Sequence, residues 1–290
     1  VKESTSYRVF QVMNGFIMAF VVIMTLYPFL YLVAQSFSSE AAVYAGRVTI
    51  FPVEFTDKTY RVILSKSDFF RYYGNTILYA VVGTVISVAA TAVMSYPLAK
   101  EKLRMNKFFI PFVLFTMYFG GGLIPNYILI AKTLHMRDTI WAIIIPGAIS
   151  AFNVILMKTF FASLPNEVEE AATVDGLGVY GIFLRITLPL SKPILATMVL
   201  FSVVGIWNNW FGPALFLQSK EKWPIALYLR QIIDSSISVT EAGSSSDTAN
   251  QIAATVKSCA MVLTSLPIIC LYPFVQKYFV QGMMIGSVKG

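Results

Sequence analysis

Charge is scarce in this 290-residue chain: Asp, Glu, Lys and Arg together make up 13%, about half of the 25% usual in soluble domains. Apolar residues reach 57% and the mean hydropathy is +0.69. A water-soluble fold cannot cover its core with so little polar surface, so soluble and disordered classes fall away and a membrane protein is expected. Histidine occurs once, as His135 beside Arg137 and Asp138, and with no second ligand nearby no metal site is expected. The only cysteines, Cys259 and Cys270, stand about 16 Å apart on a helix, too far to bridge, and show no metal or redox pattern. No G-x-x-x-x-G-K-[ST] loop is present, so the chain is not expected to hydrolyse nucleotide by itself. A convincing nucleophile, metal set or acid pair is missing too, which argues against a membrane-embedded enzyme. No tract concentrates the basic residues behind the net charge of +7; basic loops beside anionic lipid explain that excess, and no nucleic-acid partner is expected.

Long apolar runs are what the sequence has instead. About 20 apolar residues in helix cross a bilayer core, and six stretches qualify, at about 9–34, 75–99, 108–131, 139–161, 193–217 and 258–280. The expected fold is therefore all-α, a single polytopic membrane domain over 1–290. The first stretch is too long for a cleaved signal and is read as a retained helix; with Val1 in place of Met, the true start is expected to be trimmed or not included. Lys100, Lys102, Arg104 and Lys107 crowd one short loop, against Lys132 and Arg137 in the next. The positive-inside rule then puts both termini and 163–192 in the cytoplasm, with 35–74 and 218–257 outside. Charges within the spans keep to their ends, as at Lys158 and Lys277, which weighs against ion-coupled carriers and voltage sensors.

The segment SLPNEVEEAATVDGLGVYGIFLRITLP, 163–189, carries more helix signals than a connector needs. Pro165 suits a first turn with Ser163 or a neighbour as cap, and Glu167, Glu169 and Glu170 sit near the positive dipole end. Gly176 and Gly178 break the helix, and a second short helix is expected from Val179 to Thr187, stopped by Pro189. Ala171 and Ala172 are small enough for a partner to approach closely.

Glu170-Ala171-Ala172, three residues, Gly176, nine residues, then Ile186-x-Leu188-Pro189 resembles the EAA signature of permease subunits in binding-protein-dependent ABC importers. The likeness extends over most of the chain and is similar to the second permease subunit of maltose-type oligosaccharide importers. It implies a bacterial inner-membrane protein assembled with a homologous permease, an ATPase dimer and an extracytoplasmic sugar-binding protein. ATP and Mg would sit on the ATPase subunits and no cofactor on this chain. Carried over, Glu170, Ala171, Ala172, Asp175 and Gly176 form the helix and turn that dock into the ATPase. The tail residues Gly282, Gly286 and Lys289 would reach toward the ATPase dimer, or else fray as a terminus. The Ser-rich stretch 234–251, with Glu241, Gly243, Ser244 and Ser245, reads alone as a flexible linker; in the family the corresponding loop reaches the binding protein.

Two readings stand for the polar residues inside the spans. Trp207-Asn208-Asn209-Trp210 before Gly212-Pro213 has the aromatic and amide composition of a sugar path, or serves helix packing and interface anchoring. Tyr118, Gly120-Gly121-Gly122 and Pro125-Asn126-Tyr127 should bend or interrupt the third span, as a gate element or for close packing; Asn153 is open to the same two readings. The GGGLIPNY and NNWFGP regions resemble a branch handling plant or algal oligosaccharides, some acidic, such as alginate or pectin fragments. An ATPase-independent transporter or channel is the alternative reading.

Overall fold

The structure is a computed structural model that describes residues 4–65, 67–100, 103–241, 255–271, 273 and 276. Every regular element among them is helical. The chain divides into two compact units, 1–70 with 229–266, and 71–228 with 267–290.

In the first unit, helix α1 (Thr5–Ser36) starts at Ser4, whose hydroxyl accepts from the Tyr7 amide at 3.3 Å. The 31-residue segment Ser6–Ser36 is long and apolar enough to cross a membrane. Thr25, within this apolar segment, donates its hydroxyl to the Val21 carbonyl at 2.9 Å, so its own polar group is satisfied within the helix. The loop that follows holds α2 (Glu40–Tyr44) and α3 (Lys58–Leu64). Ser38 and Ser39 knit it: Ser38 donates to the Ala34 carbonyl and accepts from the Val53 amide, while Ser39 caps α2 and donates to Glu54. Tyr60 on α3 donates to Ser36 at 2.8 Å, and Ser258 donates to Gln35 at 2.8 Å.

The second unit is organised around α4 (Ser67–Leu98), which belongs to it from residue 71 onward and is also an unbroken span. At one end of it Asn75 donates to the carbonyls of Glu221 and Trp223, and Tyr79 donates to that of Lys222. At the other end Lys100 pairs with Glu169. The two ends stand about 38 Å apart at 1.5 Å per helical residue, enough for a bilayer core. The third apolar stretch becomes α5 (Asn106–Tyr118) and α6 (Leu123–Ile128), the latter widening into a π turn at Leu129–Thr133. The two limbs meet at 105°, with Gly122 at φ +85°, a region that a side chain disfavours. The expected interruption is therefore present.

The fourth stretch does not run as one helix. It consists of α7 (Trp141–Ile144) and α8 (Ala151–Ala162), separated at Pro146-Gly147, where proline lacks a donor and glycine weakens helix. After α9 (Asn166–Val174), α10 (Val179–Ile182) and α11 (Leu188–Leu190), the fifth stretch gives α12 (Lys192–Trp207) and α13 (Phe211–Phe216). The expected continuous fifth span is broken at 208–210. Helix α14 (Ile225–Glu241) continues through Glu241, so 234–241 is helical and not the linker expected. In the sequence, apolar residues at Ile225, Leu229, Ile232, Ile233 and Ile237 recur with helical period. Helix α15 (Thr255–Leu271) is the described part of the sixth stretch. It holds both cysteines free, Cys259 buried and Cys270 exposed.

Candidate coupling site and substrate path

Helix α9 is entered through Pro165, which occupies the cap position with extended angles, φ −60° and ψ 128°. Ser163 is not the cap expected from sequence: it ends α8, and its hydroxyl donates to the Phe160 carbonyl at 2.7 Å. Glu167 and Glu169 occupy the first turn of α9, where the dipole favours acids. The helix closes with the Leu177 amide on the Ala172 carbonyl and the Gly176 amide on that of Thr173, each 3.0 Å, with Gly176 at φ +82°. This is a Schellman termination, and the left-handed residue is the glycine singled out from sequence.

The second limb overshoots its predicted end. Helix α10 widens into a π turn at Phe183–Thr187, where the Leu188 amide reaches back to the Phe183 carbonyl. The helix then continues through Pro189 to Leu190. The wider turn accommodates a ring that has no amide to donate. The chain turns instead at Ser191, and the limb Val179–Leu190 meets α12 at 80°.

Glu170, Ala171, Asp175 and Gly176 lie exposed on this hairpin, whereas Ala172, at 5% exposure, faces its interior. A Cβ added at Gly176 would meet nothing within 4 Å. Around the turn stand Val174 at 88% and Tyr180 at 84% exposure, with Val179 and Leu184 also exposed. These apolar side chains were not named as candidates from sequence; their signal is an apolar residue on either side of a predicted polar turn.

The opposite face of the hairpin is anchored. Glu169 accepts from Lys100 and, at 3.4 Å, from the buried Thr187 hydroxyl. Lys100 also lies 4.5 Å from the Tyr96 ring centroid, a cation–π distance. Tyr96 packs against Phe183 of the hairpin at 4.9 Å and Phe161 of α8 at 6.3 Å. Ala92, Met157, Ile194 and Met198 complete one buried cluster, so α4, α8 and α12 share the hairpin's foundation.

The far end of the unit is held by Asp138. Its carboxylate accepts from the Gln218 and Ser219 amides at 3.0 Å, the Ser219 hydroxyl at 2.8 Å and Lys222 at 2.7 Å. Burial alone would raise its pKa, but the Lys222 and Ser219 donors outweigh burial and hold it well below the usual carboxylate range.

The candidate path residues do not converge on one place. Tyr118 ends α5 at 77% exposure. Trp207 is buried, edge-on to Tyr73 at 5.9 Å. Asn208 is exposed at the end of α12, and Trp210 lies edge-on to Phe211 at 5.6 Å. Asn126 borders an apolar cavity of about 380 Å³ with Leu123, Pro146 and Phe216. Asn153 and Asn209 share a second, more polar cavity of about 350 Å³. Gly282, Gly286, Lys289, Gly243, Ser244 and Ser245 lie outside the described residues, and Glu241 is the last residue of α14.

Among the described residues, helices as the regular elements, long apolar spans, helices broken within apolar stretches and an exposed hairpin at one end define an all-α polytopic membrane protein. The chain belongs to the family of binding-protein-dependent transport system inner membrane components, which residues 107–285 match. It is 43% identical over 283 residues to protein LplC of Bacillus subtilis (strain 168), covering 98% of this chain and 96% of that one. It is 38% identical over 280 residues to the polygalacturonan/rhamnogalacturonan transport system permease protein YtcP of the same organism, covering 95% and 96%. A solved bacterial ABC transporter involved in the import of the acidic polysaccharide alginate contains a chain with TM-score 0.83 and 34% identity, covering 96% of this chain and 99% of that one. The family is one of transport permeases rather than enzymes.

Proposed function

We propose that this chain is the permease subunit of an ATP-driven importer that passes an acidic oligosaccharide from an extracytoplasmic binding protein into the cytoplasm. Relatives whose names point to polygalacturonan, rhamnogalacturonan and alginate support the substrate class. A homologous permease and two ATPase subunits complete the assembly, with ATP and Mg held by the ATPases. The hairpin 165–190 is the inward-facing docking element. In support, it shares its end of the second unit with the basic loop beginning at Lys100, while Asp138 and Lys222 hold the other end.

The observation that carries the reading is the contrast between the hairpin's two faces. One face is tied by Glu169, Thr187 and Phe183 to three helices, and the other presents Glu170, Val174, Gly176 and Tyr180. Closure of the ATPase dimer moves such an element as a rigid body, and the shared cluster passes the motion to α4, α8 and α12. Access to the path then alternates between the two sides. The tail residues Gly282, Gly286 and Lys289 make secondary ATPase contacts, and Glu241, Gly243, Ser244 and Ser245 approach the binding protein. The test is pull-down of the ATPase by the detergent-extracted complex. Tyr180→Asp and Val174→Asp should lose the ATPase while membrane insertion persists; retention of the ATPase by both variants would refute the docking assignment.

A further inference from the structure

The cavity shared by Asn153 and Asn209 has a chemistry beyond that of helix packing. It lies between α4, α8 and α12, and Ser87, Ser150 and Ser202 also line it. Ser87 is twelve residues from Asn75 and thirteen from Lys100, which places it about 18 Å from either end of the helix, midway through the membrane. At about 350 Å³ it falls among small-molecule clefts. No ionisable side chain lines it among the described residues.

Polar capacity in this space is only partly used. Ser202 donates to Ser87 at 3.3 Å, leaving the Ser87 hydroxyl free to donate. The Asn209 carbonyl oxygen accepts from the Gly212 amide at 3.1 Å, leaving its NH₂ group as a donor. The Ser150 hydroxyl makes no cap bond to α8, and the Asn153 amide borders the same space. Phe201 offers an aromatic wall, suited to the C–H face of a sugar ring.

Resting on the importer reading above, we propose that this cavity is a sugar subsite contributed by this chain, reading the hydroxyl-bearing face of a hexose unit and not its carboxylate. An ionised carboxylate at this depth finds no counter-ion in the lining and loses its hydration, so acidic groups of the substrate are accommodated outside the cavity. Specificity here is for hydroxyl geometry, which buried donors and acceptors enforce by being left unpaired with the wrong ligand.

The experiment uses the complete transporter in lipid nanodiscs with its binding protein, with the ATPase subunits held by a non-hydrolysable ATP analogue. The probes are isotope-labelled tri-galacturonate and its carboxyl-reduced, neutral counterpart, and retained sugar is measured. Asn153→Leu and Ser202→Ala should each lower retention of both probes by a similar factor, about tenfold for a lost polar contact. Asn153→Ser, which keeps a hydrogen-bonding group, should recover part of it. Co-purified subunit ratios confirm assembly of each variant. Wild-type retention in the assembled variants, loss confined to the acidic probe, or no retained sugar in a wild-type complex that still couples ATP to uptake would each overturn the subsite. A wild-type chain that brings down no ATPase would instead overturn the importer reading itself.

Discussion

Gly176 sits at φ +82° with open space above it, so a substitution there acts through backbone strain and through the surface it presents. Alanine costs about 1–2 kcal/mol in the left-handed region, and leucine adds bulk on the face proposed to dock. Gly176→Leu is expected to leave the protein inserted while transport falls about tenfold or more relative to ATP hydrolysis, since each 1.4 kcal/mol of coupling is tenfold. Normal transport per ATP in that variant would remove the residue from the coupling account. Glu170→Lys reverses charge on the exposed face and should weaken ATPase association, read as faster dissociation at low salt than at high salt. Asp138 supplies the pH test. Its folded-state pKa is depressed, so its contribution to stability is present above the ordinary carboxylate range and fades only as pH falls through the lowered value. Thermal unfolding between pH 5 and 8 should therefore show no Asp138-dependent change. Asp138→Asn should lower stability throughout that window by about 1–2 kcal/mol, the order of a charge-assisted hydrogen bond.

At the scale of elements, the hairpin was legible because its signals are local: acids in the first turn, a glycine at the left-handed position, a proline beyond. Its anchoring was not legible, because Lys100 and Glu169 are 69 residues apart and nothing in either neighbourhood names the other. Pro189 misled for a physical reason, since a π turn before it removes the clash that normally ends a helix. The apolar runs located the spans, but apolarity alone does not separate one long helix from two short ones. Pro146-Gly147 and Asn208-Asn209 decided that question locally, and among the described residues two unbroken spans remain, or four counting each sharply bent pair as one. The helix through 234–241 was hidden by serine content that its isoleucine spacing contradicts. Tyr96 is the hinge pin between elements, touching Phe161, Phe183 and Lys100. Tyr96→Ala and Phe183→Ala should each cost about 3 kcal/mol or more, with the double variant less destabilised than their sum by 0.5 kcal/mol or more, as for residues in contact. Strict additivity in a thermal-unfolding cycle would deny the shared cluster.

For the whole molecule, the division of labour follows from where charge and polarity are allowed. Ion pairs occupy the ends, as at Lys100–Glu169 and Asp138–Lys222. The middle of the second unit keeps hydroxyls and amides around a cavity, and under the proposed docking the force for movement enters from outside the chain through the hairpin. The measurement that tests this most directly is ATP hydrolysis in liposomes holding the complete complex, with binding protein and tri-galacturonate added singly and together. Hydrolysis stimulated only when both are present, and uncoupled from uptake by Gly176→Leu, is the predicted result. Sugar uptake by this chain in liposomes free of any ATPase would contradict the account and identify an autonomous transporter.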